Sequence, residues 1–380
     1  MILQRIGRLV LACAGLAFAA SPRAETGVTD TAITLGMSSP LSGPNGAYGL
    51  EMKEAIGAYF QQINAGGGVN GRKIELIALD DGYETDRTVA NTRKLIEENK
   101  VFALLQYYGS SPTTEAMKLF SAAKVPLVGT ISGADSIRTP VSRYMFHVRA
   151  SYADETEAIV NQLVSLGIKN IAVFYQNDGF GKSGLDGVNN ALKKHNLKPI
   201  AVGTVERNSL EVGAAVQAIA RANAQAVVMV TLYKPTAEFV RQMHKAGQTP
   251  QFMTLSPVGA DLLVKELGND SRGIGISQVM PYPWNDTVPV AKEYQRLISQ
   301  LARHQNYSYY GIEAYVTARV MIEGIRKAGR DLTREKLANA LESMNALEVG
   351  GYRVGYTPQN HNGSRYVDLT VIGSGGRVLR

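Results

Sequence analysis

The fold is decided by four consecutive stretches: ITLGMSSPLSG (33–43), YGLEMKEAIGAYFQQIN (48–64), AGGGVNGR (65–72) and KIELIALDDGYETDRT (73–88). Their patterns predict a strand, a helix, a turn and a second strand, with polar residues gathered at the C-terminal ends of both strands. In an open parallel sheet, small ligands bind in the crevice at those ends. The first binding-site candidates are therefore Ser38, Ser39, Ser42, Asp80, Asp81 and Tyr83.

The stretch 50–63 shows the helical spacing most clearly. Its apolar side chains, Met52, Ile56, Tyr59, Phe60 and Ile63, fall on one face, which is typical of a core-facing helix. The glycines at 66–68 then end the helix, because glycine adopts the left-handed conformation at little cost. A phosphate-binding glycine loop opens a helix, whereas this one closes it, so the sequence argues against a phosphate site here.

The alternation of apolar strands and helical stretches continues along the chain and starts again at Asp154. Strands buried on both faces and separated by helices are typical of parallel sheets covered by helices. The sequence therefore predicts an α/β fold with two doubly wound parallel-sheet lobes. After Trp284 we expect helices over about 288–304, 312–327 and 333–344, then strands at YRVGYT (352–357) and DLTVIG (368–373).

The N-terminus has the pattern of a secretory signal peptide. Residues 1–24 carry Arg5 and Arg8, then a short apolar run, then small residues that allow cleavage after Ala19 or Ala24. The apolar run is too short to span a bilayer. We therefore expect the segment to be removed and the mature protein to be periplasmic.

The one cysteine, Cys13, lies inside this segment. A lipoprotein, with Cys13 lipidated, is the alternative, but Leu11 fits that signal poorly and almost no apolar run would precede the cysteine. The mature chain would then contain no cysteine. It would depend on neither disulfides nor thiolate chemistry, which suits an exported protein with a large core.

The charge pattern argues against a nucleic-acid-binding function. The formal net charge is +7, but three of the arginines lie in the predicted signal peptide, and the other basic residues alternate with acidic ones. No basic run marks a nucleic-acid groove. No later segment is apolar enough to span a membrane, so the mature chain is expected to be soluble.

The chain shows no sign of catalytic machinery. It has no HExxH, paired CxxC, GxSxG or P-loop motif, and its five histidines are isolated in the sequence. Asp80 and Asp81 could bind a metal, but no further carboxylates lie at suitable local spacing. The sequence therefore predicts no cofactor and no enzymatic activity.

Hydroxyl and aromatic side chains accumulate at the predicted C-terminal ends of strands. Examples are Tyr107 to Ser111, Thr130 to Gly133, and Thr231 to Tyr233. Because Ser110 and Ser111 lead into a helix, their hydroxyls and the free backbone N–H groups could together hold an anion such as a carboxylate. This pattern indicates a binding pocket that does no chemistry.

The motifs SPLSGPNGAYG (39–49), INAGGGVNGRKIEL (63–76), DD (80–81) and QFMTLSPVGAD (251–261) resemble the leucine/isoleucine/valine-binding protein family. These type I solute receptors feed ABC importers of branched-chain amino acids and related compounds. The resemblance covers nearly the whole mature chain. It implies a periplasmic monomer that binds a small solute and delivers it to an ABC transporter permease in the inner membrane.

The resemblance also implies two lobes joined by three crossings. Lobe 1 would contain residues 25–149 and 280–350, and lobe 2 residues 150–279 and 351–380. The crossings would lie near Arg149, residues 278–281 and residues 350–352.

The resemblance also assigns ligand contacts. Ser110 would bind a carboxylate, Ser132 and Gly133 would form a second loop, and Tyr48 would line the pocket; Phe180 and Tyr233 take the places of the second-lobe tyrosines. The full predicted ligand-binding set is Tyr48, Ser110, Ser111, Ser132, Gly133, Tyr152, Phe180, Tyr233 and Ser256.

Ser256 departs from the family pattern, because an acidic residue that pairs with the ligand ammonium is expected there. A buried ammonium without a charged partner costs several kcal/mol. Either another acid, such as Asp135, Asp81 or Asp178, takes the role, or the ligand has no α-ammonium. The predicted ligand is therefore an amino acid or close analogue, or else an aromatic or branched organic acid or amide. A ligand-sensing receptor of the same fold is the alternative to a transport receptor.

Overall fold

The computed structural model describes residues 25–304 and 306–380. The predicted signal peptide, including Cys13, lies outside the described residues. The strands are β1 (Ala32–Ser39), β2 (Lys73–Asp80), β3 (Ala103–Tyr108), β4 (Leu127–Ile131), β5 (Met145–Phe146), β6 (Ile171–Gln176), β7 (Val202–Val205), β8 (Ala226–Val230), β9 (Gln251–Thr254), β10 (Gly275–Gln278), β11 (Leu347–Val349), β12 (Tyr352–Val354), β13 (Asp368–Ile372) and β14 (Val378–Leu379). The helices are α1 (Gly46–Ala65), α2 (Thr85–Glu97), α3 (Ser110–Ala122), α4 (Tyr152–Ser165), α5 (Gly179–Lys194), α6 (Gly213–Arg221), α7 (Tyr233–Lys245), α8 (Ala260–Leu267), α9 (Pro289–Leu301), α10 (Tyr309–Ala328) and α11 (Arg334–Glu342).

The first sheet has the strand order β2-β1-β3-β4-β5 and is parallel throughout. Its register pairs Ser39 with Asp80 and Tyr108 with Ile131. The C-terminal ends of neighbouring strands therefore meet at one edge, as the sequence predicted. Most of these strands are buried, which explains their continuous apolar character.

The second sheet has the order β14-β13-β10-β9-β8-β6-β7. Strands β6 to β10 are parallel, whereas β13 runs antiparallel to β10 and β14 antiparallel to β13. The predicted α/β architecture with two doubly wound lobes is confirmed. The antiparallel pair at one edge of the second sheet is the addition that the sequence pattern did not predict.

Several helices begin earlier than the apolar spacing indicated. The apolar spacing predicts helices over 50–63, 113–123 and 236–246. The corresponding α1, α3 and α7 start at Gly46, Ser110 and Tyr233. Polar first turns carry no periodic apolar signal, so the pattern shows only the core-facing turns that follow. The consequence for the site is that Tyr48, Ser110 and Tyr233 all lie in first helical turns. Within the described residues, no helix is both long enough and apolar enough to cross a membrane.

We propose that the three lobe crossings lie close together and that the third one comes later in the chain than the resemblance implied. The Tyr352 hydroxyl donates to the carbonyl oxygens of Val148 at 2.9 Å and Val279 at 3.1 Å. Residues beyond it stay with the first lobe, since His147 N donates to His361 O and Gly363 N donates to His147 O, both at 2.9 Å.

The chain joins the second sheet only at Asp368. We therefore place the third crossing near residues 364–367 and not at 350–352, and we assign residues 351–363 to lobe 1. Hydrogen bonds to the end of β5 hold this segment there, and apolar periodicity does not record such bonds. The other lobe boundaries remain predictions.

Candidate ligand-binding cleft

A cluster of tyrosines fills the boundary between the two lobes. Tyr48 of α1 is fully buried, and its ring centroid lies 5.2 Å from Tyr108, 4.7 Å from Tyr310 and 5.5 Å from Tyr233. Its hydroxyl donates to Val258 O at 2.8 Å and accepts from Tyr233 N at 3.2 Å. Since α1 belongs to the first lobe and both partners to the second, this side chain joins the lobes.

Other polar contacts also cross the boundary. Ser111 Oγ accepts from Gly179 N at 3.1 Å, and Gln176 Nε2 donates to the Tyr83 hydroxyl at 3.0 Å. A Cβ at Gly179 would lie only 2.9 Å from Ser111 Oγ, so glycine permits the close approach. These contacts describe a closed arrangement of the lobes.

Three hydroxyl groups meet where the chain enters α3. Ser110 Oγ and Ser132 Oγ are 2.8 Å apart, and the Tyr152 hydroxyl is in hydrogen-bonding contact with Ser110. The backbone fixes this geometry, because Tyr152 N donates to Gly133 O at 2.9 Å and a Cβ at Gly133 would lie 2.5 Å from Tyr152 N. Ser110 and Ser132 are buried at the N-terminus of a 13-residue helix. Hydroxyl donors at such a position favour a bound anion.

These hydroxyl groups are neutral donors at physiological pH. Burial raises the pKa of Tyr152, against the opposing effect of Arg149 and of its hydrogen bond with Ser110. Phe180 packs its ring against Tyr152, with the centroids 5.2 Å apart, and the Tyr233 hydroxyl donates to Pro44 O at 2.9 Å. The predicted set is thus brought together at the lobe boundary, with Phe180 as an apolar wall. The role of this set of residues in ligand binding remains a prediction.

Ser256 is bonded to a carboxylate that the sequence interpretation missed. Ser256 N donates to Glu155 Oε2 at 2.8 Å, and Ser256 Oγ donates to Glu155 Oε1 at 3.0 Å. Ser277 Oγ donates to Glu155 Oε2 at 2.7 Å. The carboxylate therefore comes from the first turn of α4 and not from the loop after β9.

Arg149 lies between two buried carboxylates. Its Nη2 is 3.5 Å from Glu155 Oε1 and contacts Ser256 Oγ, and its Nε is 3.7 Å from Glu313 Oε1. Burial alone would lower the pKa of Arg149, but Glu313 and Glu155 raise it, so the guanidinium stays charged. Arg149, Ser256, Tyr310 and Glu313 line a common cavity of about 10 Å³.

Both carboxylates of this cluster resist ionisation. Burial raises the pKa of Glu155, although Arg149 and the serine hydrogen bonds oppose the shift, and burial raises the pKa of Glu313 to about 7 against the attraction of Arg149. The sequence analysis named Arg149 only as the place of a lobe crossing, and it did not identify Glu155 or Glu313 as site residues. The available signal was a single acid in an otherwise apolar helical stretch, as at Glu313 in YYGIEAYV.

Five of the six first binding-site candidates form hydrogen bonds within the loops at the edge of the first sheet and not in the cleft. Ser38 Oγ donates to Asp81 Oδ2 at 2.8 Å and Ser39 Oγ donates to Gln106 O at 3.0 Å. The Asp80 carboxylate accepts from Leu41 N at 2.8 Å and also from the Ser42 hydroxyl at 2.5 Å. Tyr83 is the exception, because its ring packs against Tyr108 and its hydroxyl accepts a hydrogen bond from Gln176 Nε2.

The acids proposed as substitutes at Ser256 lie elsewhere. Asp178 caps α5, accepting from Phe180 N at 2.9 Å, and pairs with Arg207 at 3.1 Å. Asp81 accepts a hydrogen bond from the Ser38 hydroxyl. Asp135 is exposed in a short 3₁₀ turn. The carboxylate that contacts Ser256 is instead that of Glu155. Within the described residues, no group of three or more histidine, cysteine or acidic side chains is arranged to hold a metal ion.

Comparisons with known proteins agree with this architecture. A family model described as periplasmic binding protein matches residues 32–377. The leucine-, isoleucine-, valine-, threonine-, and alanine-binding protein of Pseudomonas aeruginosa is 24% identical over 357 residues, covering 93% of this chain and 92% of the relative.

Two solved structures are also similar. The substrate-binding periplasmic protein of Ralstonia solanacearum has a TM-score of 0.87 and 34% identity, covering 91% of this chain and 99% of its own. A possible leucine/isoleucine/valine-binding protein of Rhodopirellula baltica has a TM-score of 0.88 and 30% identity, covering 92% and 96%. Members of this family bind solutes and are not enzymes. The chain belongs to the periplasmic binding protein family, and within it to the type I, leucine/isoleucine/valine-binding group.

Proposed function

We propose that this protein is the periplasmic receptor of an ABC importer of the branched-chain amino acid type, and that it captures an amino acid or related small carboxylate between its two lobes. The observation that carries the proposal is the hydroxyl cluster of Ser110, Ser132 and Tyr152 at the N-terminus of α3, enclosed by aromatic side chains of both lobes. The solute would then be handed to a permease in the inner membrane.

The hydroxyl cluster supports binding of a carboxylate. Ser110 and Ser132 now bond to each other, and a carboxylate would accept from both hydroxyls. Hydrogen bonds to a charged group contribute about 1.5 to 3 kcal/mol each. Because the cluster is buried, water would compete weakly with the bound solute.

The aromatic walls support a solute with an apolar or aromatic body. Tyr48, Tyr83, Tyr108 and Phe180 are all buried at the lobe boundary. Faces of such rings stabilise flat or branched apolar groups by burial and by ring contacts. A solute made only of charged groups would leave this surface without a complementary partner.

The charge cluster at Ser256 supports two classes of solute. Glu155 and Glu313 are two acids beside one cation, Arg149, and a ligand ammonium bound next to them would favour ionisation of both carboxyls and balance the second negative charge. The Arg149 guanidinium contacts Ser256 and so already occupies the position where a ligand ammonium would lie. This contact instead favours an organic acid, which has no ammonium group. Our first proposal is an amino acid, and the second candidate is an aromatic organic acid.

A thermal-shift screen followed by calorimetry tests the proposal. L-Leucine, L-phenylalanine and phenylpyruvate are suitable probes, since the last two differ only at the α-position. A solute that binds the folded state alone raises the melting temperature by mass action. Preference for L-phenylalanine over phenylpyruvate supports the amino-acid proposal, the reverse supports the organic acid, and no binding by any amino acid or organic acid in a broad screen would refute the function.

A further inference from the structure

Two carboxyl groups face each other across the lobe boundary, away from the hydroxyl cluster. Glu51 lies on α1 of the first lobe, and Asp261 lies in the first turn of α8 of the second lobe. Each carboxyl shifts the pKa of the other. Glu51 Oε2 and Asp261 Oδ1 are both buried, and neither atom has a hydrogen-bond partner among the described residues.

Two carboxylates in contact repel one another unless a proton lies between them. Within the described residues, no cation forms an ion pair with either group. The charged and titratable groups that face the pair from the surrounding elements are Tyr48 and Glu54 of α1, Lys265 of α8, Tyr294 of α9, Tyr233 of α7 and His304 of the segment before α10. The His304 imidazole pairs with Glu54, with Nδ1 3.3 Å from Glu54 Oε2, and so does not neutralise Glu51.

The two carboxyls have different roles. Burial raises the pKa of Asp261, but backbone hydrogen bonds at the start of α8 oppose the shift, because the helix end stabilises a negative charge. Glu51 has no such support from α1, and burial together with the charge of Asp261 raises its pKa to about 8. In the closed arrangement Glu51 therefore holds a proton more readily than an exposed glutamate does.

We propose that closing of the two lobes binds one proton at the Glu51–Asp261 pair, so that capture of the solute is coupled to proton uptake. The inference rests on the proposed function, because it needs the lobes to separate and close around a solute. When the lobes separate, both carboxyls face water and return toward ordinary ionisation. Alkaline pH would then oppose closure, and mildly acidic pH would favour it.

Calorimetry at two pH values tests the coupling. From an ordinary value of 4.5 in the open form to about 8 in the closed form, we expect the Kd of a bound probe to be on the order of 100-fold weaker at pH 8.5 than at pH 5.5. The probes are L-leucine, L-phenylalanine and phenylpyruvate, which keep an ionised carboxylate throughout this range. Buffers of different ionisation enthalpy would report the proton taken up.

Matched variants isolate the pair. Glu51→Gln keeps a donor to Asp261 and should remove most of the pH dependence, and whatever remains belongs to other groups such as Glu313. Glu54→Gln changes a carboxyl one turn further along α1 in the same groove and should keep most of the wild-type pH dependence, since the charge of Glu54 adds only a small part to the raised pKa of Glu51. An effect of added sodium or calcium in place of pH would overturn the proton assignment.

The outcomes separate this inference from the proposed function. A probe that binds with the same Kd at both pH values overturns the proton coupling and leaves the receptor function intact. If none of the three probes binds, small-angle scattering without solute decides the coupling. The radius of gyration should then be smaller at pH 5.5 than at pH 8.5 in the wild type and independent of pH in Glu51→Gln, and a wild-type value that does not change with pH overturns it.

Discussion

The Tyr48 hydroxyl donates a 2.8 Å hydrogen bond to the carbonyl oxygen of Val258, which links the first helix of one lobe to the loop after β9 of the other. The Tyr48 hydroxyl oxygen also accepts from Tyr233 N, so one buried side chain satisfies two backbone groups of the second lobe. When the lobes are apart, water must replace these bonds. The contact therefore belongs to the closed state and supports it only there.

Tyr48→Phe should weaken solute binding without unfolding the protein. The ring contacts remain, but Val258 O and Tyr233 N lose their partner, and we expect a loss of about 1 to 3 kcal/mol in binding free energy. Calorimetry with L-leucine or phenylpyruvate would measure it. Tyr59→Phe is the control, since Tyr59 lies on the same helix and contacts Tyr315 within the first lobe; an equal loss in both variants would argue against a role in closure.

Ser110→Ala should weaken binding of any carboxylate probe by about 1.5 to 3 kcal/mol, the range for a hydrogen bond to a charged group. Calorimetry on the variant gives the value. Ser121→Ala is the matched control, because Ser121 lies on the same helix and faces Ser142 instead of the cleft. An unchanged Kd in Ser110→Ala would contradict the role of Ser110 and assign the anion site to Ser132.

Glu155→Gln should destabilise the folded protein strongly. The substitution breaks a buried ion pair with Arg149 and leaves that cation short of a partner, which costs about 3 to 5 kcal/mol. Urea unfolding would measure the loss. Glu157→Gln on the same helix breaks only the exposed pair with Lys194 and should cost less than about 1 kcal/mol, so similar losses in the two variants would contradict the account of the buried cluster.

Glu313 should make stability fall between about pH 4.5 and pH 7. Its pKa in the folded state is raised to about 7, so the folded protein holds a proton that the unfolded chain has already released. Stability from this group is complete below pH 4.5 and is lost as the pH rises through 7, by roughly 3 kcal/mol. Glu313→Gln should lack this change, and parallel curves of unfolding free energy against pH for variant and wild type would refute it.

The sequence predicted the features of the fold that depend on apolar periodicity. Buried strands such as AVVMV (226–230) and the α1 face with Met52 and Ile56 show an apolar pattern in the sequence, and these same side chains are buried in the folded protein. We place the third crossing later than the resemblance implied because His361 and Gly363 form backbone hydrogen bonds with His147, and such bonds leave no trace in hydrophobic patterning.

The same distinction applies to the site. Ser110 and Ser132 were recognised because helix starts and strand ends have residue signatures, whereas Glu155 acts at Ser256 from about a hundred residues away in the chain. Ser256 therefore does not mark a missing carboxylate. A glutamate introduced there would meet Arg149 and Glu155 before any ligand, and burial would raise its pKa.

The most direct test of the central claim is small-angle X-ray scattering of the mature protein with and without a saturating solute identified by the thermal-shift screen. Closure of the lobes around the solute forms the contacts of Tyr48, Ser111 and Gln176 and should reduce the radius of gyration. A smaller radius with solute is the result that we predict. An unchanged radius at saturation would contradict capture of the solute by closing lobes.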